Sequence, residues 1–169
     1  MCKQSRIICL CLIISSVVPE LLCKNGRAIT SNCPNGWTVY EQSCYVLGHT
    51  KSDFNNAVIF CQHYNAKLVE IETDLENNFL RSYLKDFKDP IHWIGATDSI
   101  IEGEWRWYSD DAHLNYADWY PGEPNNAKYY NCALMYGGGY NFHWVDAPCS
   151  GRYYPLCELD YSKPSEVIG

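Results

Sequence analysis

The sequence predicts a single disulfide-stapled domain that mixes two early helices with short strands. Three observations predict it. An apolar leader precedes the body of the chain, six cysteines lie beyond that leader, and helical periodicity is confined to residues 52–84. After that span short strands and turns take over, broken by one long polar stretch.

The chain has 169 residues, enough for one domain with a real core. Lys3 and Arg6 give a positive start, and Ile7 to Val18 is an almost unbroken apolar run. That run is too short to cross a bilayer and suits a signal peptide over residues 1–23, cleaved between Pro19 and Asn25. Residues 24–32 form an N-terminal segment, 33–159 the domain and 160–169 a C-terminal tail. No second apolar run of spanning length follows, so the expected product is a secreted, extracellular protein. The formal charge is −7, and residues 1–23 are net positive, so the rest is more acidic still. An acidic chain without a basic patch argues against nucleic acid and against anionic lipid as partners.

The elements follow in order. Trp37–Tyr40 and Ser43–Leu47 read as two strands turned at Glu41-Gln42. Ser52–Tyr64 reads as a helix with Phe54, Ala57, Val58 and Cys61 on one face. Lys67–Ile71 is a short strand. A second helix starts at Thr73, where Thr73-Asp74-Leu75-Glu76 forms a capping box, and Leu75, Phe79, Tyr83 and Leu84 supply its buried face. His92–Gly95 and Glu104–Tyr108 are strands, the latter with Trp105 and Trp107 on one side. Cys132–Tyr136 and Asn141–Val145 are strands turned by Gly137-Gly138-Gly139, and Tyr154–Leu159 closes the domain.

Between them Ser109 to Asn131 is a long polar loop, too aromatic for disorder. The flanking cysteines, aromatic anchors such as Trp119, or a metal held by oxygen side chains must order it. Cys33, Cys44, Cys61, Cys132, Cys149 and Cys157 read as three disulfides whose pairing the spacing leaves open. Cleavage ahead of Cys23 would leave an odd thiol able to link two chains in a homo-oligomer.

Several motifs then fall in one order. Trp93-Ile94-Gly95 with Ala96-Thr97-Asp98 is similar to the "WIGL" segment of the C-type lectin fold. Glu123-Pro124-Asn125 resembles that family's "EPN" sugar motif, and Trp144-Val145-Asp146 sits where the family carries "WND". The resemblance covers about residues 33–159 and is of the long form, closest to the perlucin-like secreted single-domain lectins, a flavour that Glu102-Gly103-Glu104-Trp105-Arg106-Trp107 supports. It implies an α+β fold of two helices with small antiparallel sheets and a long loop for calcium and ligand. It also implies the pairs Cys33–Cys44, Cys61–Cys157 and Cys132–Cys149.

The resemblance further implies a calcium ion that bridges protein and sugar. Calcium takes about 6–8 oxygen ligands. Two neighbouring sugar hydroxyls would join it, while carboxylates accept and amide nitrogens donate hydrogen bonds to them. The family's Glu-Pro-Asn order, with its proline peptide usually cis, favours the equatorial 3- and 4-hydroxyls of mannose-type sugars; Gln-Pro-Asp favours galactose. Glu123, Asn125 and Asp146 are the expected sugar- and calcium-binding residues. A further carboxylate of the family falls on Tyr130 and the asparagine of "WND" on Val145, so calcium binding is expected to be weakened or absent. An auxiliary calcium set falls on Asp98, Glu102, Asn126 and Asn131, with two amides replacing acids; the plainer reading makes Asp98 and Glu102 solvated acids. Tyr129, Tyr130, Tyr136 and Tyr140 are candidates for stacking on a sugar ring, against a plainer role in loop packing. Trp93, Trp105, Trp107 and Trp144 read as core.

No Gly-x-Ser-x-Gly elbow and no His-Glu-x-x-His pair is present, and His92 and His143 read as structural residues, so a binding module is expected and not an enzyme. The expected partners are mannose-type glycans on glycoproteins or microbial surfaces, as in innate immunity. The alternative is a module that has lost calcium and sugar and binds protein or a mineral surface, which the changes at Tyr130 and Val145 would suit.

Overall fold

The computed structural model describes residues 21–24, 27–30, 33–87, 91–125 and 129–161. It divides into two units, residues 1–32 and 33–169. In the first, strands β1 (Leu21–Lys24) and β2 (Arg27–Thr30) pair antiparallel. Apart from Leu21 to Cys23, the expected signal segment lies outside the described residues.

The second unit opens with β3 (Thr38–Tyr40) and β4 (Ser43–Leu47), followed by helix α1 (Phe54–His63). The expected helical face is the observed one: Phe54, Ala57, Val58 and Cys61 are buried. The helix begins two residues later than the periodicity predicts. Asp53 stands in extended conformation as its cap and accepts from the Asn56 amide at 3.0 Å. The short strand β5 (Lys67–Leu68) stops before Val69 because the sheet opens there. The Val69 amide donates to the Leu156 carbonyl while the Val69 carbonyl accepts from the Gly95 amide, so this residue bridges two strands. Gly95 is required at that approach: a Cβ there would stand 2.9 Å from the Leu68 carbonyl oxygen.

Helix α2 (Asp74–Lys85) is capped by Thr73, whose hydroxyl accepts from the Glu76 amide. The reciprocal half of the capping box is shifted. Glu76 accepts from the Glu72 amide and from the Tyr45 hydroxyl instead of reaching the Thr73 amide. The buried face is also turned. Leu75 is 69% exposed, Phe79 and Tyr83 are half-buried, and Leu80 and Leu84 enter the core beside the buried polar side chains Glu76 and Asn77.

The remaining strands are β6 (Ile91–Thr97), β7 (Arg106–Trp107), β8 (Cys132–Tyr136), β9 (His143–Ala147) and β10 (Tyr154–Asp160). Strand β9 starts at His143 because a 3-10 turn over Gly138–Tyr140 ends in Asn141 and Phe142, both at positive φ. The sheet order is β3-β4-β10-β6-β8-β9, with β5 on β10 and β7 on β6. Two antiparallel groups are joined by one short parallel pairing, Tyr154 with His92 and Pro155 with Trp93. The three disulfides pair as the resemblance implies: Cys33–Cys44, Cys61–Cys157 and Cys132–Cys149. The second ties α1 to β10 across 96 residues, the third clamps the start of β8 to the chain beyond β9. Trp93, Trp105, Trp107 and Trp144 are all core residues.

Candidate functional site

The long loop carries no regular element among its described residues, and its root is fixed by side chains. Trp119 packs edge-on against Trp105 and Trp144, at 4.7 and 5.7 Å between ring centroids. Its neighbours bond to β9: the Trp144 amide donates to the Asp118 carbonyl, and the Tyr120 amide to the Trp144 carbonyl. The Asp118 carboxylate gathers three further donors. It accepts from Asn77 at 2.6 Å and Arg81 at 3.1 Å on α2, and from His143 Nδ1 at 2.9 Å on β9. Arg81 also stands 3.4 Å from His143 Nε2, so Nε2 accepts and Nδ1 keeps the proton it donates to Asp118. Asn77 in turn accepts from the Trp144 indole N–H.

From this anchor Tyr120-Pro121-Gly122-Glu123 makes a turn, closed by the Glu123 amide on the Tyr120 carbonyl at 2.8 Å with Gly122 at φ 95°. The Glu123–Pro124 peptide is cis, as the resemblance implies. Asn125 then bonds to both of the other expected residues. Its side-chain nitrogen donates to Glu123 Oε2 at 2.8 Å, and its backbone amide donates to Asp146 Oδ1 at 3.2 Å. Asp146 is buried on β9, paired with Ala133 of β8. Burial and the adjacent Asp146 push the Glu123 carboxyl up to about 7, against the lowering effect of the Asn125 hydrogen bonds. Two carboxylates this close repel when both are charged, and a cation between them removes that penalty.

Beside this group, Asp98 at the end of β6 is buried, which overturns its reading as a solvated acid; Glu102 is exposed, as that reading has it. Asp98 Oδ2 accepts from the Gly103 amide at 2.8 Å, while Asp98 Oδ1 and Asn131 Oδ1 are buried oxygens without a hydrogen-bond partner. The Asp98 amide donates to the Asn131 carbonyl, which brings the two residues together. Burial raises the Asp98 carboxyl, and the charge of Asp146 adds to it. Two orphaned oxygens beside a carboxylate pair offer the hard donors that calcium prefers. No group of three or more His, Cys, Asp or Glu among the described residues is gathered as a metal site, so any ion here must draw on amides and backbone as well.

The family profile described as "Lectin C-type domain" matches residues 50–159. The chain belongs to the C-type lectin domain family. The lectin domain is similar to CD209 antigen-like protein C of Mus musculus, 36% identical over 75% of this chain and 68% of that protein. It is also similar to a perlucin-like protein of Mytilus galloprovincialis, 32% identical over 70% of this chain and 77% of that one. Among solved structures, the cow C-type carbohydrate-recognition domain of CD23, determined in the presence of GlcNAc2Man3 oligosaccharide, matches with a TM-score of 0.67. It is 33% identical and covers 76% of this chain and 95% of that one.

The lectin loop brings Glu123, Asn125 and Asp146 into one hydrogen-bonded group, and sets Asp98 and Asn131 beside each other. Asn126 lies outside the described residues. Tyr129 is exposed and Tyr130 half-buried. Tyr140 packs between Tyr120 and Tyr136, its ring centroid 4.6 Å from each with the planes tilted by 58° and 52°. Val145 is buried in the core, so it contributes packing where the family carries a ligand. The Asp118 anchor escaped the sequence reading. Only the i,i+4 spacing of Asn77 and Arg81 hints that both could reach one acceptor. A separate cavity of about 460 Å³, lined by Val58, Lys67, Leu68, Glu70, Tyr108 and Glu158 among others, was equally invisible. There burial pushes the Glu158 carboxyl up to about 7, although Lys67 pulls it down.

Proposed function

We propose that this carbohydrate-binding lectin domain recognises terminal mannose-type sugars through a calcium ion held by Glu123, Asn125 and Asp146. The observation that carries this reading is the convergence of two carboxylates and an amide on one point of an anchored loop. When bound, calcium supplies the coordination that draws two adjacent sugar hydroxyls out of water. The side chains do the rest. Glu123 and Asp146 accept hydrogen bonds from those hydroxyls, and the Asn125 amide nitrogen donates to one of them. Asp146 is held in place by the β8–β9 ladder, and Glu123 by the turn at Tyr120. Asp98 and Asn131, with Glu102 and Asn126 as further donors, would hold the auxiliary ion. Tyr129 and Tyr130 lie close in sequence to this group and would meet the ring face of a bound sugar, with Tyr140 beyond them.

The chain is proposed to be secreted and to serve recognition of glycans on glycoproteins or microbial surfaces. No helix among the described residues is long and apolar enough to cross a membrane. Calorimetric titration with calcium tests the reading directly. Binding at micromolar to millimolar strength that Asp146→Asn abolishes supports it, and no calcium heat from the folded domain refutes it.

A second reading is favoured by Tyr130 and Val145. Neither offers calcium a charged oxygen, and Val145 is committed to the core. On that reading the domain binds a protein or mineral surface without the ion. Sugar retention that ignores a chelator, or no retention at all, would put this reading first.

A further inference from the structure

We propose that Ile100 and Ile101, in the loop after β6, form an apolar rim beside the sugar site that takes the alkyl or acyl chain of a mannose-type glycolipid. The proposal rests on the mannose reading of Glu123, Asn125 and Asp146 and adds the class of ligand. Ile100 is 74% and Ile101 48% exposed. Single exposed apolar side chains are ordinary on a protein surface. This pair is consecutive, and its loop is fastened at both ends. The Gly103 amide donates to Asp98 Oδ2 at 2.8 Å, the Glu104 amide to the Ile101 carbonyl at 2.9 Å and the Ser99 amide to Thr97 Oγ1 at 3.2 Å. β-branched side chains on a fixed backbone lose little freedom when a ligand covers them.

The sheet brings the pair near the site. Thr97 pairs with Cys132 of β8, and Cys132 with Ala147 of β9, the residue after Asp146. Adjacent strands lie about 4.8 Å apart, so the loop leaves the sheet about 10 Å from Asp146, a distance that an octyl chain spans. Thr97 Oγ1 also donates to the Asn131 carbonyl at 2.6 Å, and Tyr129, two residues before Asn131, is 69% exposed. The apolar surface therefore continues the polar group instead of standing apart from it. Its size chooses the occupant. Two isoleucines and one ring fall far short of the roughly 800 Å² per partner that a stable protein contact takes, whereas a few side chains cover a single hydrocarbon chain. Exposed Glu102 and Glu104 flank the pair and oppose an anionic headgroup, so the polar end of the ligand is the neutral sugar itself.

Calorimetric titration of the full chain in calcium compares methyl α-mannoside with octyl α-mannoside below its micelle concentration. Each buried methylene is worth about fourfold in affinity, so the octyl glycoside should bind about tenfold or more tightly, with the gain growing through the ethyl, butyl and hexyl glycosides. Ile100→Ser with Ile101→Ser should remove that gain and leave the affinity for methyl mannoside within about twofold. Where serine unsettles the loop, Ile100→Thr with Ile101→Thr keeps the β-branched shape and makes the same comparison. Equal affinity for the methyl and octyl glycosides overturns the proposal and leaves the mannose reading standing. So does a gain that survives in both variants. Methyl and octyl glycosides that both fail to bind the folded domain overturn the mannose reading, and this proposal falls with it.

Discussion

Replacing Asp118 by alanine tests how the lectin loop is held. The carboxylate accepts from Asn77 at 2.6 Å, His143 at 2.9 Å and Arg81 at 3.1 Å, and it is 19% exposed. Hydrogen bonds to charged groups contribute about 1.5–3 kcal/mol each when buried. Water reaches this site, so the three together are discounted. Asp118→Ala should cost about 2–4 kcal/mol of folding stability, part of it from stranding the half-buried Arg81 charge. Asp118→Asn keeps an acceptor oxygen and should cost about 1 kcal/mol. Urea unfolding measures both. Because Asp118 lies five residues before Glu123, the folded alanine variant should also bind sugar more weakly than the asparagine variant. A loss below about 0.5 kcal/mol would refute the anchor, since that is the scale of ordinary surface changes. A full loss of stability with sugar affinity unchanged would refute its part in positioning the loop.

Three further outcomes are expected. Gly95→Ala should destabilise the domain by about 1–3 kcal/mol, because its Cβ would press on the Leu68 and Val69 carbonyl oxygens at 2.9 and 3.2 Å; thermal melting reads this. Glu158 takes a proton more readily folded than unfolded, because burial holds its carboxyl at about 7, above the ordinary glutamate value of 4.5. The folded state therefore binds more protons, and stability should fall as pH rises from about 4.5 to 7; Glu158→Gln should flatten that slope in urea titrations at several pH values. Glu123→Gln with Asn125→Asp should move sugar preference from mannose toward galactose on affinity columns, and unchanged preference would deny the loop its role in choosing the sugar.

Much of this architecture was legible because the first helix has one strong apolar stripe, Phe54, Ala57, Val58 and Cys61, and tryptophans mark the buried strands. The buried face of the second helix departs from the expected one because the helix has two stripes. Leu75, Phe79 and Tyr83 compete with Leu80 and Leu84, and the core face also buries Glu76 and Asn77, which a hydrophobic pattern cannot reveal. Tyr45 and Trp144 satisfy those polar groups from 31 and 67 residues away. The disulfide pairing came only through the resemblance. Within the site, Glu123, Asn125 and Asp146 were named from motifs. The Asp118 anchor joins residues 25, 37 and 41 positions apart, and no local pattern carries such a contact. The burial of Asp98 was hidden for a similar reason: its surroundings come from Asn131, across a sheet pairing.

Glu123, Asn125 and Asp146 are proposed to bind sugar through calcium although Tyr130 and Val145 stand at two positions where the family resemblance implies ligands. Retention of the purified domain on immobilised mannose and galactose, with calcium and then with a chelator, tests it most directly. Retention on mannose that calcium supports and the chelator abolishes is the predicted result. A folded domain that passes both columns unretained, or that mannose holds equally with the chelator present, would contradict it.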